Sequence, residues 1–157
     1  MLFPATFLNA VAGLLIPEFS RYYVKKDYKK IKMYSNKLIK ASLMFSLVLS
    51  LFIFILGNKL GTIIYHDETV GFYIKIFAPL IPFMYIDIIV DSILKGLDAQ
   101  VNVLFINIVD LLLSISFILF FVPIFGMKGF ISSIFASEIL NFGLSLKKLK
   151  DLEKSWN

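Results

Sequence analysis

An all-α polytopic membrane protein is the fold class this sequence predicts, and three observations carry it. The 157-residue chain is 59% hydrophobic and 17% charged, with a mean hydropathy of +0.84. Globular domains average about 45–50% apolar and about 25% charged. Its apolar residues are gathered into runs long enough for helices that cross a bilayer core, which takes about 20 residues. Its basic residues are segregated: of 16, eight lie between Arg21 and Lys40 and four between Lys147 and Lys154. Clustering beside apolar runs marks membrane topology, so the net charge of +5 is not read as nucleic-acid binding.

The first apolar stretch, residues 2–16, ends at Pro17. Its 15 residues make about 22 Å of helix, short for a span. It reads as a partial span, with no basic n-region that would make it a signal peptide. The expectation is that the chain is the end of a longer protein, its missing helices lying upstream or in a partner chain. Residues 18–38 form an amphipathic interfacial segment. Phe19, Tyr23, Ile31, Tyr34 and Leu38 keep helical spacing with lysines between them, and Asp27 is placed to cap a second helical piece. The basic face reads first as a positive-inside anchor and second as a surface for anionic lipid.

Spans follow at about 39–57, 72–94, 101–122 and 129–146, with a tail over 147–157. Ser42, Ser46 and Ser50 recur every four residues in the first, a spacing that lets helices approach closely. Gly57–Gly71 reads as a short interfacial helix and loop. Gly96–Gln100 and Pro123–Lys128 read as turns. In the 72–94 span, Pro79 and Pro82 each remove a backbone donor and are expected to bend the helix. If the Arg21–Lys40 segment is cytoplasmic, alternating spans place 13 basic residues inside and three, Lys59, Lys75 and Lys128, outside. The C-terminus is then cytoplasmic as well, in a multi-pass protein of the cell membrane.

The candidate functional groups are acids at membrane depth. Asp87 lies about 6 Å and Asp91 about 12 Å from the centre of its span, by helical rise. Asp91 and Lys95 are spaced i, i+4 and are expected to form an interface ion pair. Asp110 and Glu138 fall near the middle of the last two spans. Each such acid costs roughly 2.5–3.5 kcal/mol to insert, so it faces a bundle interior, pairs, or serves a function. Asn107, Asp110 and Ser114 share a face. Gly129, Ser133, Ser137, Asn141 and Ser145 form a four-residue stripe, with Glu138 at its edge. The stripe reads mainly as a helix–helix seam. For Asp110 and Glu138, ion coupling and structural hydrogen bonding both stand as readings.

Several chemistries are disfavoured. There is no cysteine, and the single histidine, His66, sits beside Asp67 and Glu68 in a loop where adjacent residues rarely converge on one metal. No nucleophile–base pair or phosphate loop is present, so neither an enzyme nor a cofactor is expected.

The pieces APLIPFMYIDIIVDSILKGLDAQ, INIVD and SEILNF resemble the C-terminal part of the stage V sporulation protein B family. That family of polysaccharide-biosynthesis membrane proteins falls in the multidrug, oligosaccharidyl-lipid and polysaccharide exporter superfamily. The resemblance covers nearly the whole chain. It implies two six-helix halves around a cavity that opens alternately to each side, of which this chain supplies the later part of the second. It also implies a flippase for undecaprenyl-linked sugars used in cell-envelope or spore-cortex synthesis. The family's basic residues for anionic headgroups come largely from regions absent here, so the chain is not expected to transport by itself. A cation-coupled multidrug exporter of the same superfamily, or a small membrane interaction protein docking through its Gly/Ser stripe, are the alternatives.

Overall fold

The computed structural model describes the backbone of residues 2–156 and the side chains of residue 10 and residues 12–156. Among the described residues six α-helices follow in order: α1 (Leu2–Val24), α2 (Tyr28–Tyr65), α3 (Glu68–Phe77), α4 (Ile81–Gly96), α5 (Gln100–Phe125) and α6 (Met127–Lys154). A 3-10 turn, Ala78–Leu80, joins α3 to α4. No strand occurs among the described residues, and the all-α polytopic bundle stands. Four helical stretches are long and apolar enough to cross a membrane: Tyr28–Tyr65, Glu68–Gly96, Gln100–Phe125 and Met127–Lys154.

Burial is inverted relative to a water-soluble bundle. On α2 the buried residues beyond Ile31 are Ser35, Ser42, Ser46, Ser50, Gly57 and Gly61, while Met44, Val48, Phe52 and Ile55 are exposed. Small residues inside and large apolar ones outside suit packing in lipid, where close backbone approach replaces the hydrophobic drive between helices. α4 is the centre of the bundle. Its Ile86, Ile89, Val90, Ile93 and Leu94 pack with Leu15 and Phe19 of α1, Ile31 of α2 and Leu149 of α6. α5 packs chiefly on α6 and leaves most of its surface uncovered.

Helix continuity differs from the sequence reading at five places. α1 runs through Pro17 rather than ending there. Buried Ala12, Leu15 and Phe19 straddle the proline and hold one continuous face against α4, where Gly96 approaches the Ile16 carbonyl and Phe19. That packing offsets the one hydrogen bond proline removes. The 18–38 segment is therefore not a unit: Asp27 divides it between α1 and α2 by capping α2, accepting from the Lys30 N–H at 3.3 Å. The Lys30 side chain, 2.9 Å away, holds the Asp27 carboxyl below the usual carboxylate range. α2 is then unbroken for 38 residues, about 57 Å, so the expected loop from Gly57 shrinks to His66–Asp67. Likewise α5 continues past Pro123 to a turn at Gly126, whose φ of 58° with ψ of −133° is a conformation open essentially to glycine. The 147–157 tail is mostly the end of α6.

The 3-10 turn Ala78–Leu80 contains Pro79 and is followed at once by Pro82. Pro82 has no N–H to offer the Ala78 carbonyl four residues earlier. That carbonyl instead accepts from the Ile81 N–H and, across the bundle, from the Ser50 hydroxyl at 2.7 Å. Ser50→Ala removes the second donor from a buried acceptor. It is expected to destabilise by about 1–3 kcal/mol, read as a lower melting temperature in detergent. An unchanged melting temperature would show that the proline break needs no support from α2.

The loops 25–27 and 97–99 and the C-terminal end of α6 share one end of the bundle. Tyr28 stacks there on Trp156 at 5.1 Å. This end carries the two basic clusters.

A buried carboxyl–amide–hydroxyl cluster between α4, α5 and α6

The helix order brings the four sequence-selected acids, Asp87, Asp91, Asp110 and Glu138, toward one seam. Asp87 leaves α4 toward α6, where the Asn141 amide donates to its Oδ2 at 2.9 Å. The second oxygen of Asp87 and the side-chain oxygen of Asn141 are buried with no partner. One turn further along α4, Asp91 also buries an oxygen without a partner. Ser145, one turn beyond Asn141, is fully buried and lies beside both Asp87 and Asp91, its hydroxyl unpaired.

A second group lies on the α5–α6 contact. Ser137 donates to Asp110 Oδ1 at 3.2 Å, and Ser114 donates to Ser137 at 2.8 Å. The chain Ser114–Ser137–Asp110 thus hydrogen-bonds the two helices in series. Glu138 is half-buried next to it and within electrostatic range of both Asp87 and Asp110. Asn107 is mostly exposed on α5 and lies on the Asp91 side of the seam.

Two readings need revision. No nitrogen–oxygen contact within 4 Å joins Asp91 and Lys95 among the described residues, so the expected ion pair is not formed. Spacing i, i+4 permits such a pair, but Lys95 is exposed in the last turn of α4 while Asp91 turns toward α6. The α6 stripe is also more than a packing seam. Gly129 and Ser133 do pack, Gly129 against the Phe121 carbonyl. Ser137 and Asn141 instead supply the donors that meet Asp110 and Asp87. Spacing along α6 gave the shared face but not the acids across from it. Depth had singled out Asp110 on α5 and Asp87 on α4, but no spacing rule within one helix pairs them with Ser137 and Asn141 of α6.

Chemically, the cluster is rich in oxygen and poor in cations. Four carboxyl groups lie along the seam with no lysine or arginine among them, Lys95 being at the helix end. Among the described residues no three acidic or imidazole side chains converge as a metal site would require. The arrangement can exchange protons, or hold one hard monovalent cation on mixed carboxylate, amide and hydroxyl oxygens. His66 is exposed at the end of α2, and Asp67 beside it caps α3 through the Thr69 N–H at 2.7 Å. That hydrogen bond keeps the Asp67 carboxyl below its ordinary range.

A second feature adjoins the cluster. At the proline break, a groove of about 490 Å³ runs between α2 and α4, closed on one side by Phe142 of α6. Its walls include Leu43, Leu47, Phe54, Pro82 and Ile86, with Ser50 as the polar group. Ile86 neighbours Asp87 and Phe142 neighbours Asn141 in sequence, so groove and cluster occupy adjacent faces of the same two helices.

In comparison with known proteins, the family model MatE matches residues 3–120. No curated protein and no solved structure matches the chain.

Proposed function

The chain belongs to the MatE family, exporters of the multidrug, oligosaccharidyl-lipid and polysaccharide superfamily, and from that premise we infer that it helps move a lipid-linked oligosaccharide or peptidoglycan precursor across the cell membrane. The process is alternating access, serving envelope or spore-cortex synthesis. The observation that carries this reading is the apolar groove beside the polar cluster. A substrate with a long isoprenoid chain and a hydrophilic head needs both: an apolar track open to lipid and a polar path for the sugar. In this reading the basic end of the bundle faces the cytoplasm.

Asp87, Asp110 and Glu138 serve as the coupling groups. They carry charge into the bundle without a base to neutralise it, so a proton or cation is the natural counter-charge. The same observation favours a second reading, a cation-coupled multidrug exporter whose acids bind organic cations directly.

Reconstitution of the complete protein in proteoliposomes separates the two. A fluorescent polyprenyl-diphosphate sugar is expected to cross between leaflets, and the same head on a short soluble chain is not. Efflux of ethidium without movement of the polyprenyl probe would sink the lipid-linked reading and leave the multidrug one.

A further inference from the structure

At the basic end, α1 packs along α4 rather than along α2. A cleft of about 260 Å³ opens between α1 and α2. Its apolar lining is formed by Leu15 and Phe19 from α1 and Leu38 and Ala41 from α2. Its rim is the stacked pair Tyr22 and Tyr34, with centroids 5.5 Å apart and rings 12° from parallel. Lys37 stands beside them. An adjoining hollow of about 500 Å³ shares Glu18 and Tyr22 and adds Arg21 and Lys25. From Leu15 to Tyr22, and from Ala41 to Tyr34, the distance along each helix is about 10 Å.

The surface is therefore graded from apolar through aromatic to cationic over the thickness of a membrane interface. A phospholipid presents the matching order: acyl chain, ester region, phosphate. We propose that this cleft holds one anionic membrane phospholipid. An acyl chain lies on Leu15, Phe19 and Leu38, the ester region rests against the tyrosine pair, and the phosphate meets Arg21, Lys25 and Lys37.

Charge selects the headgroup. The two adjoining hollows together are lined by three cations, Arg21, Lys25 and Lys37, and one carboxylate, Glu18, which accepts from the Tyr22 hydroxyl at 3.4 Å. The balance is positive and favours a net-negative head over a zwitterionic one. The apolar wall separates this site from general attraction to the basic end. Lys147, Lys150 and Lys154 share that end but line neither hollow. The site stands apart from the transport seam and does not depend on which substrate is carried.

The test uses the purified full chain, delipidated in neutral detergent, with native mass spectrometry as readout. Phosphatidylglycerol is expected to be retained one per chain under conditions that strip phosphatidylethanolamine and phosphatidylcholine. The exposed residues allow a clean charge removal: Arg21→Gln/Lys25→Gln/Lys37→Gln is expected to weaken phosphatidylglycerol binding at least about tenfold. Lys147→Gln/Lys150→Gln/Lys154→Gln removes the same charge and is expected to leave binding unchanged. Ala41→Trp keeps every charge, fills the apolar wall and is expected to abolish retention. Equal retention of the three lipids, equal loss in both triple variants, or full retention by Ala41→Trp would overturn the proposal. Stoichiometric displacement of phosphatidylglycerol by a polyprenyl diphosphate would also overturn it, reassigning the cleft to the transported substrate.

Discussion

Gly61→Ala is expected to destabilise the α2–α3 hairpin more than Gly57→Ala does. A Cβ at Gly61 would run into the backbone nitrogen and Cα of Gly71 on α3. Backbone atoms cannot rotate aside, so the helices must separate. The reverse contact is nearly as close: a Cβ at Gly71 would lie 2.8 Å from the Asn58 Cα and 3.1 Å from the Gly57 carbonyl oxygen. Gly57 provides the internal control. Its Cβ would meet first the Lys75 Cγ, at 2.7 Å, and a lysine stem can move. Overpacking in a rigid core costs about 1–3 kcal/mol and occasionally more. At the upper end of that range Gly61→Ala should lower the detergent melting temperature by roughly 5–10 °C, with Gly57→Ala well under half of that. Equal melting temperatures for the two variants would mean that α2 and α3 are not in backbone contact. Fluorescence or circular dichroism during heating reads the comparison directly.

These glycines also show where the sequence was legible and where it was not. Hydropathy located four stretches able to cross a membrane, because a run of Leu, Ile and Phe that long has few other uses. It misplaced their ends. Gly57, Asn58 and Lys59 read as a loop because they are polar or flexible, yet they continue α2. Gly57 and Gly61 are there to let α3 approach. Lys40 likewise marks where the helix changes its surroundings, not where its hydrogen bonding stops. Composition follows depth, whereas helix ends follow caps and backbone partners such as Asp27 and Gly126. Pro17 and Pro123 misled for a related reason. A proline removes one donor, and a buried face such as Ala12, Leu15 and Phe19 outweighs that loss.

The polar cluster was partly legible. Asp87, Asp110, Glu138 and Asn141 stood out because each is costly at its depth. Their pairing did not, since i, i+4 rules describe one helix and the partners sit on others. Asp91 illustrates the point: its nearest sequence-compatible base is Lys95, yet the structure turns it toward Ser145 and Asn107. The serines were the most under-read residues. Ser50, Ser137 and Ser145 looked like spacers in a seam. Ser50 supports the proline break, Ser137 holds Asp110, and Ser145 lies unpaired between two acids.

Charge-neutral, shape-preserving substitutions distinguish a seam from a coupling site, and they carry the largest functional effect expected here. In Asp110→Asn the side-chain oxygen still accepts the Ser137 hydroxyl, so a purely structural role survives. In Asp87→Asn the oxygen facing Asn141 can do the same. Glu138→Gln keeps the volume next to Ser137. What all three lose is the ability to bind and release a proton or to hold a cation. If cation occupancy biases which side the bundle opens to, a group that can no longer take the cation cannot shift that equilibrium. Asp110→Asn and Glu138→Gln are therefore expected to slow leaflet-to-leaflet movement of the polyprenyl probe at least about tenfold, a barrier increase of about 1.4 kcal/mol. Melting temperatures should stay near that of the unaltered protein. Asp110→Ala adds the necessary contrast: it also removes the acceptor for Ser137 and should lower the melting temperature as well as transport. Full transport by both charge-neutral variants in the complete protein would take Asp110 and Glu138 out of the mechanism and leave them as hydrogen-bonding residues of a helix seam.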